Sequence, residues 1–206
     1  DAGLIVCDDS EGNGNDYDGL GLFTLSDADE YVLSLIVANP NNDITDASQL
    51  SIAYYANEED ALLELNQLPN EYTSEVPDLQ EIYLRVERDN DCFGINSMTL
   101  EVLPVPEIIV PTPIEECDDD YDGFVSFFDL SERTEEVLNG QTGIDVTYHE
   151  TLEEAENGEN AITSPYTNTT ADLQTIFIRL ENSETACSST TTLDLVVNPI
   201  PTVLVA

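Results

Sequence analysis

Leu79-Gln80-Glu81-Ile82-Tyr83-Leu84-Arg85-Val86-Glu87 returns later in the chain as Leu173-Gln174-Thr175-Ile176-Phe177-Ile178-Arg179-Leu180-Glu181. In both copies aliphatic residues alternate with polar or aromatic ones, the period-2 pattern of a half-buried strand. The same order holds on either side. Upstream, Cys7-Asp8-Asp9 answers to Cys117-Asp118-Asp119, Asp16-Tyr17-Asp18-Gly19 to Asp120-Tyr121-Asp122-Gly123, and Phe23-Thr24-Leu25-Ser26 to Phe128-Asp129-Leu130-Ser131. Downstream, Cys92 matches Cys187, and Pro104-Val105-Pro106 matches Pro199-Ile200-Pro201. Collinear matches of this number imply two homologous domains, 1–106 and 107–206, the first enlarged by insertions at Ser10–Asn15 and between Ser26 and Tyr54.

More strands follow from the same alternation: Met98, Leu100 and Val102 with Leu193, Leu195 and Val197, and Ile52–Tyr55 with Val146–His149. Helical patterns cover Asp27–Val37 and Glu58–Leu68 in copy one, and Glu132–Leu138 and Leu152–Glu156 in copy two. Short strands, Pro-marked ends and about 100 residues per unit predict a mainly β chain of two tandem Ig-like β-sandwich domains with short helical insertions. The joint Pro104–Pro113 is rich enough in proline to run extended and stiff. The chain begins at Asp1 and repeats its Pro-x-Pro ending, as would an excerpt from a longer array.

Charge narrows the function. The 206 residues hold 44 Asp and Glu against 4 Lys and Arg and one His, a formal charge of -40. All four cations are arginines: Arg85, Arg88, Arg133 and Arg179. Nucleic acid and anionic lipid need basic clusters, so neither is an expected partner. No apolar run approaches the roughly 18 residues that insert across a bilayer. Hydrophobic residues at 41% still suffice for a core. Without lysine, Schiff-base catalysis and Lys–Asn crosslinks are excluded.

Asp118, Asp120, Asp122 and Gly123 stand at positions 1, 3, 5 and 6 of a calcium-type loop. Phe124 would add a backbone carbonyl at position 7, Ser126 falls at 9 and Asp129 at 12, with Asp119 alongside. Alternate residues turn oxygens to one centre, and calcium takes 6–8 of them. Copy one keeps Asp16, Asp18 and Gly19, with Leu20 for the carbonyl, and needs Asp8 and Asp9 to reach back across the insertion. Each copy also has one early and one late cysteine. The expected pairs are within domains, Cys7 with Cys92 and Cys117 with Cys187, each contributing roughly 4 kcal/mol on the chain-entropy estimate and implying an oxidising compartment. Such bonds would draw Glu181, Asn182 and Glu184 toward the loop of copy two. His149 reads as an exposed strand residue, Arg85 and Arg179 as outward positions with cross-strand carboxylate partners, and Asn168-Thr169-Thr170 as a glycosylation sequon. No hydrolase, metalloprotease or phosphate-loop motif is present, so no enzyme is expected.

Cys117–Leu130, Val146–Tyr148, the strand 174–181 and the late Cys187 with its Pro-Ile-Pro resemble the tandem repeats of giant Bacteroidota surface adhesins exported by type IX secretion, including gliding-motility-associated and grappling-hook filament proteins. That resemblance implies a cell-surface, calcium-dependent Ig-like stalk repeat. The expected function is a non-catalytic structural unit of a long extracellular adhesin or filament, rigidified by Ca2+ and intradomain disulfides. Its partners would be neighbouring repeats, a laterally packed fibre, or a glycan or protein on a target cell. The alternative is a calcium-dependent glycan-binding module, using exposed aromatics such as Tyr17 and Tyr121.

Overall fold

The computed structural model describes residues 3–8, 17–39, 44, 46–88, 92–125 and 127–201. They form two units, Asp1–Pro104 and Val105–Ala206. Each is a mainly β, Ig-like sandwich with short helices.

In the first unit, β1 (Gly3–Cys7), β2 (Leu22–Thr24), β3 (Leu50–Tyr55), β4 (Glu71–Thr73), β5 (Leu79–Arg88) and β6 (Cys92–Leu103) carry the sheets. The larger sheet runs β1-β6-β5-β3, and β2 pairs with β4 in a second, smaller ladder. The strand β1 lies parallel to β6, from Gly3 opposite Thr99 to Cys7 opposite Leu103. Alternation along β5 and β6 turns Ile82, Leu84, Met98, Leu100 and Val102 inward, against Phe23 and Tyr72 of the small ladder. Residues 25–28 make a 3-10 turn that runs into α1 (Asp29–Ala38), and α2 (Glu58–Leu63) follows β3.

The second unit repeats this order with β7 (Ile114–Cys117), α3 (Thr134–Leu138), β8 (Ile144–His149), α4 (Leu152–Asn157), β9 (Leu173–Asn182) and β10 (Ser188–Asn198). Its sheet runs β7-β10-β9-β8, with β7 parallel to β10. The small ladder shrinks to one bridge between Phe128 and Tyr166, the counterparts of Phe23 and Tyr72. Its core is more completely sealed: Phe128, Leu130, Ile176, Ile178 and Leu180 are fully buried.

Local chemistry explains the helices. Asn57 and Thr151 cap α2 and α4 by accepting the N–H of Asp60 and Glu154. Acidic first turns complement both dipoles. Glu64 and Gly158, both at positive φ, end them. The helix over 58–68 therefore stops at Leu63. At their far ends the arginines correct the outward placement: Arg85 and Arg179 lean onto the helices. Arg85 is 4% exposed and donates to the carbonyls of Ala61 at 3.1 Å and Leu62 at 3.5 Å. It also holds Glu64 at 2.8 Å and Glu87 at 2.7 Å, and sits 3.5 Å from the centroid of the Phe93 ring. Arg179 binds the carbonyls of Ala155 at 3.0 Å and Glu156 at 2.7 Å, with Glu181 as its anion. Each guanidinium thus satisfies the orphan carbonyls of a helix end and pins that helix to the sheet.

The Pro-rich joint belongs to the second unit. Gln141 exchanges hydrogen bonds with the backbone of Glu107, and Arg133 donates to the carbonyls of Thr112 and Pro113 at 2.9 and 3.0 Å.

Candidate functional site: the aspartate loops and the cysteines

The Asp118–Gly123 loop is built from its own carboxylates. Asp118, 8% exposed, accepts the N–H of Asp120 and Tyr121 on Oδ1 and that of Gly123 on Oδ2 at 3.0 Å. Asp120 accepts from the Asp122 amide at 3.3 Å, and Asp122 from the Phe124 amide at 2.8 Å. Aspartate at every second position therefore makes a run of Asx-turns, each side chain bonding the backbone two residues on. Gly123 is required twice over. Its φ is +79°, and a Cβ would stand 2.8 Å from Asp172 Oδ1. The loop docks there: the Asp172 amide and the Asn168 side chain both donate to the Gly123 carbonyl at 3.0 Å.

Copy one reproduces this across its insertion. Asp8, 6% exposed, accepts the Gly19 N–H on Oδ2 at 2.9 Å, and Asp18 accepts from Leu20 at 3.0 Å. Gly19 has φ +73°, and a Cβ would meet Asp78 Oδ1 at 2.6 Å. Asp9 and Asp16, like Ser126 in copy two, lie outside the described residues.

Asp118, Asp119 and Asp120 each bring a carboxylate oxygen within 4.8 Å of the others. Burial pushes the Asp118 carboxyl up, but the amides of Asp120, Gly123 and Tyr121 outweigh it and hold it below the usual range. Asp120 shifts the other way, raised first by its hydrogen bond with Asp122, then by burial and by the charge of Asp122. The residues fit a hard cation. Their donors are all oxygens, and a carboxylate oxygen that accepts one N–H, as Asp118 Oδ2 does, keeps a second lone pair.

Asp129 does not close this loop. It caps the 3-10 turn at Leu130–Arg133, accepting from Ser131 N at 3.1 Å, Ser131 Oγ at 2.6 Å and Ser164 Oγ at 2.9 Å. Those bonds hold its carboxyl below the ordinary range. A capping aspartate and a closing calcium ligand look alike in sequence, because both follow a turn and precede a helix. Tyr121, Phe124 and Tyr17 are exposed, at 68%, 38% and 48%.

Other expectations change. Cys7 and Cys187 are the disulfide-bonded cysteines, while Cys92 and Cys117 are exposed free thiols. Neither intradomain pair forms, since each has a free member, and the proposed gathering of Glu181, Asn182 and Glu184 by a Cys117–Cys187 bond falls with it. His149 is fully buried rather than exposed. Its Nδ1 donates to the Glu159 carbonyl at 2.7 Å and Nε2 lies 2.9 Å from Thr147 Oγ1. Asn168 is 3% exposed, with its amide spent on Val125, Gly123 and Thr170, so the sequon serves the fold.

A matched pair of glutamines was not singled out in sequence. Gln80 accepts from the amides of Glu75 and Val76 and donates to Tyr72 Oη at 2.8 Å. Gln174 repeats this with Thr169, Thr170 and Tyr166 at 3.0 Å. Their recurrence at the second position of the repeated strand was the available signal.

The family described as Flavobacterium inter-domain disulphide bond domain matches residues 3–106 and again 113–201. Domains of that family belong to extracellular proteins. No curated protein matches the sequence. Among solved structures, human mucin-like protocadherin EC1-2 aligns over 79% of this chain and 93% of that chain, at 14% identity and a TM-score of 0.23. Sidekick-1 immunoglobulin domains 1-4 align over 96% and 48%, at 10% and 0.24. Human protocadherin-24 EC1-2 aligns over 98% and 95%, at 8% and 0.27. At these TM-scores the fold rests on strand order and core packing instead. No described helix is long and apolar enough to cross a membrane.

Proposed function

We propose a mechanical role from the premise that this chain belongs to the Flavobacterium inter-domain disulphide bond domain family, which matches it twice over nearly its whole length. The chain is a non-catalytic structural segment of a long extracellular adhesin or filament that mediates cell-surface attachment or contact between cells. One observation carries this reading: the bonded cysteines are Cys7, which ends the first strand of repeat one, and Cys187, which precedes the last strand of repeat two. A disulfide in this position staples neighbours in series, where an enzyme or a free-standing module would close its own fold. Its partners are other repeats of the same kind.

Calcium is the second support in the proposal. Asp118, Asp120 and Asp122, with Asp119 beside them, hold it in repeat two, and Asp8 and Asp18 contribute in repeat one. The cation relieves the Asp120–Asp122 repulsion and stiffens the loop against Asp172.

Two measurements on the non-reduced protein test the proposal. Peptide mapping should recover Cys7 joined to Cys187; recovery of Cys7–Cys92 and Cys117–Cys187 instead would remove the stapled-series reading. Thermal unfolding in millimolar calcium and in chelator, at constant ionic strength, should show a higher midpoint with calcium. A ligand at one hundred times its Kd stabilises by about 2.7 kcal/mol. Asp120→Asn should lose most of that gain, and an unchanged midpoint would reduce the loops to Asx-turns.

A further inference from the structure

Strand β6 outruns the strand beside it. The strand β1 begins at Gly3 opposite Thr99, and no described strand pairs with Cys92–Met98 on that side. Backbone direction alternates along β6: the Val102 amide turns to Asp78, ahead of β5, and the Leu103 carbonyl turns to Asp8, beyond β1. The same alternation turns the N–H and C=O of Phe93, Ile95 and Ser97 to the open side. There the Ser97 amide donates to the Asn96 side chain at 3.0 Å, a local substitute for a strand. A groove of about 1020 Å³ follows this edge, lined by every residue from Cys92 to Thr99 together with Tyr31, Val32 and Leu35 of α1. Side chains of one strand alternate between faces, so an unbroken lining run means that the strand presents its edge. Neither Tyr31–Ala38 nor Cys92–Thr99 contains an Asp or Glu, in a chain with 44 of them, and Arg88 is the one charged residue among the described lining. An open, uncharged edge is a template for another strand.

The Pro-rich joint offers a matching segment. Residues 104–113 form no helix, strand or turn. Glu107 is held by Gln141 and Thr112 by Glu136. Between those anchors Ile108 and Val110 are exposed, at 41% and 70%, on either side of a half-buried Ile109. Among the described residues nothing bonds the backbone of these three. The stretch Ile108–Pro113 also lacks acid, so the two surfaces meet where repulsion between acidic chains is lowest. Covalent reach makes the donor another molecule. Five residues from Leu103 to Ile108 span at most about 18 Å, whereas Gly94 lies about 30 Å back along β6 from Leu103.

We propose that the open edge of β6 docks a second copy of this chain, which adds Ile108–Val110 as a short strand parallel to β6, on the edge that β1 also uses. Ile108 lies opposite Gly94, where a Cβ meets nothing within 4 Å, and Val110 lies opposite Asn96. The Ile108 amide donates to the Phe93 carbonyl, the Ile95 amide to the Ile108 carbonyl, and the Val110 amide to the Ile95 carbonyl. Pro106 and Pro111, without N–H groups, keep the added strand short. Each copy carries both the edge and the segment, so the contact is heterologous and can continue from copy to copy. It extends the mechanical role to contacts between chains and rests on neither the Cys7–Cys187 bond nor calcium.

The test uses the full 206-residue protein carrying Cys92→Ser and Cys117→Ser, so that any association is non-covalent. So small a contact is weak, and sedimentation velocity should show reversible growth in mass with a Kd of roughly 0.1–1 mM. Gly94→Glu spoils the edge and Val110→Glu spoils the segment. Both positions are exposed, and unchanged thermal midpoints check the fold. Each variant alone should associate about tenfold more weakly or not at all. Their equimolar mixture should regain dimers that stop at two, because one variant keeps the segment and the other the edge. Amide exchange in that mixture should slow at Ile95 of the Val110→Glu molecule. A parent protein that stays monomeric at every concentration, or a mixture that does, would overturn the proposal. So would Val110→Glu associating as strongly as the parent, which would mean that two β6 edges pair with each other. The calcium-dependent midpoint and the Cys7–Cys187 peptide are read separately, so failure of the mechanical reading is distinguishable from failure of this contact.

Discussion

Repeat two writes its aspartate loop in one stretch, Asp118 to Gly123, and repeat one does not. In sequence, the insertion Ser10–Asn15 interrupts the motif there, yet Asp8 still accepts the Gly19 amide at 2.9 Å, as Asp118 accepts that of Gly123 at 3.0 Å. Asp18 and Asp122 likewise both accept the amide two residues on. What the fold keeps is a buried carboxylate on a glycine N–H, with that glycine pressed against Asp78 or Asp172; contiguous spacing is only one way to meet the requirement. The arginine latch differs in degree instead. Arg85 holds Glu64 and Glu87 and lies against Phe93, whereas Arg179, among the described residues, has Glu181 as its one anion. Repeat one has the larger insertions and the stronger latch.

The largest effect should come from removing the bond common to both repeats. Cys7→Ser should cost about 4 kcal/mol, read by denaturant unfolding against the oxidised protein, and should let the repeats unfold as separate transitions. Arg85→Ala should follow at about 3 kcal/mol, the low end for breaking a buried pair, because it strands helix carbonyls while Glu64 and Glu87 are partly exposed. Arg179→Ala should cost roughly 1–2 kcal/mol less. Equal losses would show that the carbonyls, not the extra anion and ring, do the holding. Gly123→Ala and Gly19→Ala should each cost about 1–3 kcal/mol. They should be similar despite the interrupted motif; a harmless Gly19→Ala would mean that repeat one does not share the docking.

The smallest effect separates the repeats by pH. Asp129 has a depressed pKa, so its contribution is present above the unfolded value of about 3.9 and is lost as pH falls through the folded one. Its counterpart Thr24 does not titrate, and Asn70 Oδ1 accepts the Ser26 amide in its place at 2.9 Å. Acid titration should therefore weaken repeat two through this group. Asp129→Thr should flatten that part of the profile, and an unaltered profile would refute the assignment.

Much of the frame was legible because duplication tests every reading twice. Ile82 and Ile176, or Leu100 and Leu195, alternate identically and are buried identically. The arginines were misplaced because strand alternation assigns a side to a residue but cannot foresee a helix folding over that side. His149 was misjudged for the same reason: α4 is followed by Glu159, whose carbonyl supplies a buried acceptor. The cysteine pairing failed on a different ground. Two cysteines per copy satisfy equally well a bond within each copy and a bond between copies, and no local pattern distinguishes them. The aspartate motif was legible as a loop, while its docking on Asp172 depends on contacts distant in sequence.

The parallel pairing of β1 with β6, and of β7 with β10, has one more consequence. In each repeat the strand that enters lies beside the strand that leaves, and they point the same way. The Cys7–Cys187 bond carries end-to-end load past everything between those residues; once it is reduced, tension on the chain draws the first strand back along its axis and the last strand forward along its own. The ladder between them is loaded in shear, so Gly3–Cys7 must lose its bonds to β6 together rather than unzip one at a time. Resistance to stretching is thereby set by topology at the termini, and substitutions in those short edge strands should lower rupture force far more than they lower equilibrium stability.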